Sequence, residues 1–142
     1  MIRSAAALAV VAALAAGPVL ARTAPAAQAA TCPQALHRAT TAELYFGRNV
    51  GDEVGVSDED WKDFLDHEIS PRFPDGLSVS DVYGQWRGPK GHFVREPSKA
   101  VMLVLAGDAA EPAKLRAIRD AYRRRFHQDS VLLIERTACV SF

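Results

Sequence analysis

The chain has 142 residues, 49% of them hydrophobic, with 17 basic and 17 acidic side chains that cancel to no net charge. A length and composition of this kind support one ordinary globular domain. The balanced charge argues against a dedicated electrostatic binder of nucleic acid.

In chain order, the first 29 residues read as a secretory signal peptide. A basic start (Met1, Ile2, Arg3) is followed by an Ala, Leu and Val run from Ser4 to Ala16 and then by small residues. Cleavage after Ala21 or after Ala29 would both fit, and no twin arginine precedes the run, so general export is the simpler route. The apolar run is shorter than the roughly 20 residues a membrane span requires, so no transmembrane span is expected. The expected product is periplasmic or extracellular. Residues 30–39 are expected to be a linker and residues 40–142 a single domain.

The two cysteines, Cys32 and Cys139, lie at opposite ends of the exported chain. In an oxidising compartment an even pair is read first as a disulfide. Closing a loop of on the order of 100 residues is worth roughly 4 to 5 kcal/mol in the chain-entropy model. The competing reading is a lipid on Cys32, with cleavage directly before it, but Thr31 is a poor residue for that site and Cys139 would be left over.

Thr40 to Asn49 alternates as a strand, with Leu44 and Phe46 on one side and Glu43 and Tyr45 on the other. After a loop, Ser57 caps a helix, with Asp60 completing a capping box and Asp58 and Glu59 suiting the positive helix start. Trp61, Phe64, Leu65 and Ile69 form its buried stripe, and Pro71 ends it near Ser70. Leu77 to Trp86 is the second strand, and Gly88 to Gly91 turns it back into His92 to Leu105, where Pro97 should mark a bulge. In Lys99 to Leu105 both sides of the strand are apolar, so it belongs inside a sheet. A second helix runs from about Pro112 to His127, with Leu115, Ile118, Tyr122 and Phe126 on its buried side. Ser130 to Arg136 and Ala138 to Phe142 make the closing strand.

Strand, helix, strand, strand, helix, strand is the ferredoxin-like βαββαβ arrangement, an α+β fold. Right-handed crossovers put the four strands in the spatial order 4-1-3-2, all antiparallel, with both helices on one face. The first helix is acidic and the second basic (Arg116, Arg119, Arg123, Arg124, Arg125), as suits neighbours.

Several segments carry a family resemblance: ELYFGR (Glu43 to Arg48), the helix with Trp61 and Phe64, PRFPDGL (Pro71 to Leu77), GQWR (Gly84 to Arg87), REPSK (Arg95 to Lys99) and the ending ACVSF (Ala138 to Phe142). Together, over Thr41 to Phe142, they resemble a family of exported bacterial proteins catalogued as domain of unknown function 3574. The resemblance implies domain boundaries and no activity.

Function is then read from what the fold leaves exposed. A sheet with helices on one face only, whose central strands are apolar on both, presents an open face around Tyr45 that a partner should cover. The candidates are a homodimer packed sheet to sheet, a small apolar ligand, or the stretch from Ala30 to Arg38 folded across it. At one sheet edge Arg48, Glu96, Lys99 and His127 converge, with Trp86 and Arg95 just beyond. They could hold a carboxylate or phosphate, or Glu96 could form a structural ion pair with Arg48 or Lys99. The histidines His37, His67, His92 and His127 lack the spacing of a zinc site, and no cofactor motif or nucleophile elbow occurs. The expected function is a binding or interaction module using the open face. The alternative is a small cavity enzyme of the dimeric ferredoxin-like type, with Tyr45 as its one candidate polar residue.

Overall fold

The computed structural model describes residues 31–142 apart from 52, 89 and 90. The expected signal peptide and part of the expected hairpin turn lie outside those residues. The elements are β1 (His37–Gly47), β2 (Asn49–Val50), β3 (Glu53–Val54), α1 (Asp58–Phe64) continued by a π-helical turn (Leu65–Ile69), β4 (Ser78–Arg87), β5 (Phe93–Leu105), α2 (Glu111–Phe126) and β6 (Leu132–Val140). This is an α+β architecture with two helices and a four-stranded antiparallel sheet in the order β4-β5-β1-β6. Read from the β6 edge, that is the order expected from the crossovers.

Strand alternation divides the side chains cleanly. Ala42, Leu44 and Phe46 of β1 are fully buried on the helix side, opposite Leu103, Val101 and Lys99 of β5. The helices deliver Trp61 and Phe64 from α1 and Leu115, Ile118, Tyr122 and Phe126 from α2 to that same surface. Phe46 lies at the centre, with ring centroids 5.1 Å from Trp61, 6.0 Å from Phe64 and 4.8 Å from Tyr122. Aromatic pairs at these separations add about 0.5–1.5 kcal/mol each beyond their burial. The acidic and basic helices meet through Asp63 and Arg125, 2.7 Å apart.

Local chemistry sets the boundaries. Ser57 caps α1 by accepting the Asp60 amide, and Asp60 returns the bond to the Ser57 amide, so the capping box is present. The helix widens into a π turn before Pro71, where the Ser70 amide donates to the Leu65 carbonyl. At the end of α2, His127 takes the left-handed conformation (φ 53°) that stops the helix.

Two expectations are corrected. The β4–β5 register runs unbroken from Ser78 opposite Met102 to Arg87 opposite Phe93, so Pro97 makes no bulge. Its nitrogen faces β1 instead, where it ends the pairing: the Pro97 carbonyl accepts the Arg48 amide at 3.1 Å, and the missing N–H costs β5 nothing on its other side. The strand also begins earlier than expected. His37 to Ala39, inside the expected linker, pair with Val140 to Ala138 because the Cys32–Cys139 disulfide fixes the start of β1 beside the end of β6. The Cα atoms of the two cysteines are 5.5 Å apart, so Cys32 is bridged and not available for a lipid in this state. That anchoring also commits Cys32 to Arg38 to the end of the sheet where β1 begins, away from Tyr45. Among the described residues, no helix is long and apolar enough to cross a membrane.

Candidate functional site

The helix-free face of the sheet carries Tyr45 on β1, Ala100 and Met102 on β5, and Leu132 and Ile134 on β6. Met102, on the central strand β5, is 40% exposed, and Leu132, at the start of the edge strand β6, is 55% exposed. The face is not uniformly greasy. The Tyr45 hydroxyl donates to Glu43 Oε2 at 2.7 Å, and Arg136 approaches the same carboxylate at 3.6 Å. Accepting that proton, Glu43 holds the Tyr45 hydroxyl above its ordinary pKa, with partial burial adding to the effect. Tyr45 is therefore a hydrogen-bond donor and a poor base.

Toward the hairpin end of this face the β4–β5 ribbon runs past the end of β1, and a cavity of about 830 Å³ opens between them. Tyr45, Trp86 and Glu96 form its chemically distinctive wall, and the segment from His127 to Ser130 closes its far side. Glu96 is the organised group. Its Oε2 accepts the Trp86 indole N–H at 3.2 Å and its Oε1 accepts the Asn49 amide at 3.2 Å. Among the described residues no cation lies within ion-pair distance of it, unlike Glu43 and Glu68 but like Glu111, whose buried carboxylate accepts the Ala106 amide at 2.8 Å and the Gly107 amide at 3.1 Å.

Gly47 makes this placement possible. A Cβ built at Gly47 would overlap the Glu96 carboxylate, so the strand must be bare there for Glu96 to lie against it. On the helix side the Gly47 carbonyl accepts the Tyr122 hydroxyl at 2.8 Å. Burial raises the Tyr122 pKa far enough to keep that hydroxyl protonated. Two residues on, Asn49 ties the cavity floor to both neighbours: its side chain donates to the Arg95 carbonyl at 3.2 Å, and its carbonyl accepts from the Gln128 side chain at 2.6 Å.

The residues expected to converge fall into two groups. Arg48 and Lys99 share the parity of Phe46 and face the helices, not the cavity. Arg48 donates to the Val56 carbonyl at 2.8 Å and pairs with Asp58 at 3.0 Å; Lys99 pairs with Asp58 at 3.1 Å and with Asp81 across the β4–β5 ladder. Hydrogen bonding from Lys99, and then the charge of Arg48, holds the Asp58 carboxyl below the usual range. The expected partner Glu96 lies on the opposite face, and the ion pairs that form instead are with Asp58 and Asp81. Arg95 is exposed and donates to Gln85 at 2.9 Å. Only Tyr45, Trp86, Glu96 and His127 of the expected group line the cavity.

Gly47, Asn49 and Gln128 were not anticipated. The one available signal was the glycine inside an otherwise regular strand, which marks close approach of another group. Among the described residues no three potential metal ligands are gathered.

Residues 41–142 match the model of a family described as protein of unknown function (DUF3574), and the chain belongs to that family. A search of the curated proteins finds no match. Among solved structures the fold is similar to that of a phage SAM lyase in complex with S-methyl-5'-thioadenosine: TM-score 0.57, 22% identity, 73% of this chain and 90% of that one. The apo state of a phage SAM lyase aligns equally well, with TM-score 0.56 and 22% identity over 74% of this chain and 90% of that one.

Proposed function

We propose that the chain is a small-molecule-binding domain of ferredoxin-like fold, exported from the cytoplasm, that takes its ligand in the cavity between Tyr45, Trp86 and Glu96. The observation that carries this reading is the Glu96 carboxylate. It is held in place by an indole N–H and a backbone amide, faces a cavity, and has no cation beside it among the described residues. Those two bonds leave lone pairs on the carboxylate open to the cavity, where a positive charge would add a charge-assisted contact. With Tyr45 and Trp86 both in the lining, the ligand that fits is a compact molecule joining a flat group to a positive charge. A volume of about 830 Å³ lies within the range of small-molecule pockets, roughly 300–1,000 Å³.

The fold likeness to the phage lyase supports one compound to try first. S-adenosylmethionine combines an adenine ring with a sulfonium, and S-methyl-5'-thioadenosine offers the ring without the charge. The test is a thermal-shift series with both. A raised Tm with the sulfonium, a smaller rise with the neutral thioether, and loss of the difference in Glu96→Gln would support the reading.

Export is supported by the Cys32–Cys139 bridge, which persists in oxidising compartments. A second copy laid sheet to sheet is a weaker reading for the open face. It would have to bury the Glu43, Tyr45 and Arg136 cluster, at a desolvation cost a small ligand off to one side avoids.

The enzyme reading is favoured by one observation, the likeness to a lyase fold. In that case Tyr45, its one hydroxyl proton already given to Glu43, offers a substrate its oxygen as a hydrogen-bond acceptor. Incubation with S-adenosylmethionine and chromatography for S-methyl-5'-thioadenosine distinguishes a catalyst from a binder.

A further inference from the structure

Strand β4 is the edge of the sheet, ten residues long and exposed at nearly every position. Long free edges are templates for pairing, and proteins usually blunt them with bulges, prolines or lysines. None of these occurs in β4, whose ladder with β5 is unbroken. The bond from the Gly88 amide to the His92 carbonyl, 2.9 Å, sets the phase of that ladder. The even-numbered residues of β4 therefore bond to β5, and the N–H and C=O groups of Val79, Asp81, Tyr83, Gln85 and Arg87 face outward. Among the described residues no strand pairs with them.

We infer that two copies of this chain join β4 to β4, antiparallel, across a two-fold axis at Gly84, merging their sheets into one of twice the width. The sequence of the strand is complementary to itself in that register. Asp81 falls opposite Arg87 of the second copy, Tyr83 opposite Gln85, and, on the open face, Val82 opposite Trp86. Opposite charges and apolar pairs at directly facing positions are the unit of sheet stabilisation. Moving the axis to Tyr83 sets Asp81 against Gln85 and Trp86 against Ser80, and moving it to Asp81 sets that carboxylate against itself. Gly84 on the axis falls at a non-hydrogen-bonded pair, where opposing Cα atoms come closest, at about 4.5 Å.

The opposite edge lacks this property. Glu135 and Arg136 sit at the middle of β6, so either central register that keeps the sheet faces aligned opposes like charges. Because Val82 and Trp86 also line the cavity, each copy of the dimer would complete the rim of the other's site. The pairing itself rests on the strand edge and stands whatever the cavity binds.

Cysteine cross-linking tests the register. A side chain at Gly84 is tolerated, since a Cβ there would meet Ser98 Oγ at 3.6 Å, and both native cysteines are already bridged. Oxidation should link Gly84→Cys into a covalent dimer. Ser80→Cys should not link, its two copies being on the order of 27 Å apart at about 3.4 Å per residue. The unmodified protein should sediment as a dimer, and Arg87→Asp, which opposes two aspartates at both ends, should weaken it by on the order of tenfold. A protein that sediments as a monomer at its solubility limit overturns the proposal. So does a folded Gly84→Cys that never links, or a Ser80→Cys that links as readily.

Discussion

Pro97 stands opposite Arg48 and accepts its amide proton at 3.1 Å but has none to give back, and this leaves the Arg48 carbonyl to the loop that follows. That oxygen takes the amides of Gly55 at 2.9 Å and Val56 at 3.0 Å, so the chain leaves the sheet at Arg48 and is folded back toward α1. A residue with an N–H at position 97 would compete for the carbonyl. Pro97→Val is therefore predicted to lower hydrogen-exchange protection at Gly55 and Val56 while leaving the β1 amides as they were. Unchanged protection at those two amides would contradict this account of the strand end.

Arg48 itself works through structure. With its side chain 11% exposed and bonded to Val56 and Asp58, Arg48→Ala is predicted to cost about 1–3 kcal/mol in denaturant unfolding. Ligand affinity at the cavity should be retained, because the guanidinium lies on the other face of the sheet. A site role for Arg48 would give the reverse pattern.

The same cluster sets a pH dependence. The Asp58 carboxyl is depressed by Lys99 and Arg48, so its contribution is present above the unfolded carboxylate pKa and is lost as pH falls through the lower folded value. Lys99 is raised, first by its hydrogen bond to Asp81, so its contribution is present below the ordinary lysine pKa and is lost as pH rises through the folded one. Asp58→Asn should flatten the acid limb of the stability profile, and Lys99→Met the alkaline limb. Thermal melts across the pH range check both.

Much of the scaffold was legible because it is written in period and punctuation. The Ser57–Asp60 capping box, the Leu115, Ile118, Tyr122, Phe126 stripe and the two-sided apolar strand around Val101 each have a local cause, and each is present. Pro97 was misread because a missing donor has two solutions, a bulge or a neighbour that stops pairing, and which one applies depends on where β1 ends. The site was half legible. Trp86 and Glu96 were recognisable near one edge and Tyr45 on the open face, but parity separates Glu96 from Arg48 and Lys99. That separation depends on register, which distant residues fix. Gly47 acts through the absence of a side chain and Gln128 through a side-chain bond to a distant backbone carbonyl, and both leave almost no trace in composition.

The disulfide is predicted to matter more than any single side chain outside the core. It closes a separation of 107 residues, so replacing both cysteines with serine should cost about 2–5 kcal/mol. In a domain of this size that is a fall in Tm of roughly 10–20 °C. Reduction of the intact protein should reproduce the shift, and a Tm insensitive to reductant would remove the bridge from the account of stability.

Cavity chemistry rests on Glu96 lying against a bare strand at Gly47, and calorimetric titration with S-adenosylmethionine of the intact protein, Glu96→Gln and Gly47→Ala tests it most directly. Saturable one-site binding is predicted, weakened at least about tenfold by loss of a charge-assisted contact in Glu96→Gln and similarly in Gly47→Ala, with the melting temperature of Glu96→Gln little changed. Heats that do not saturate, or a Glu96→Gln protein that binds as tightly as the original, would contradict the proposal that this carboxylate receives a cationic ligand.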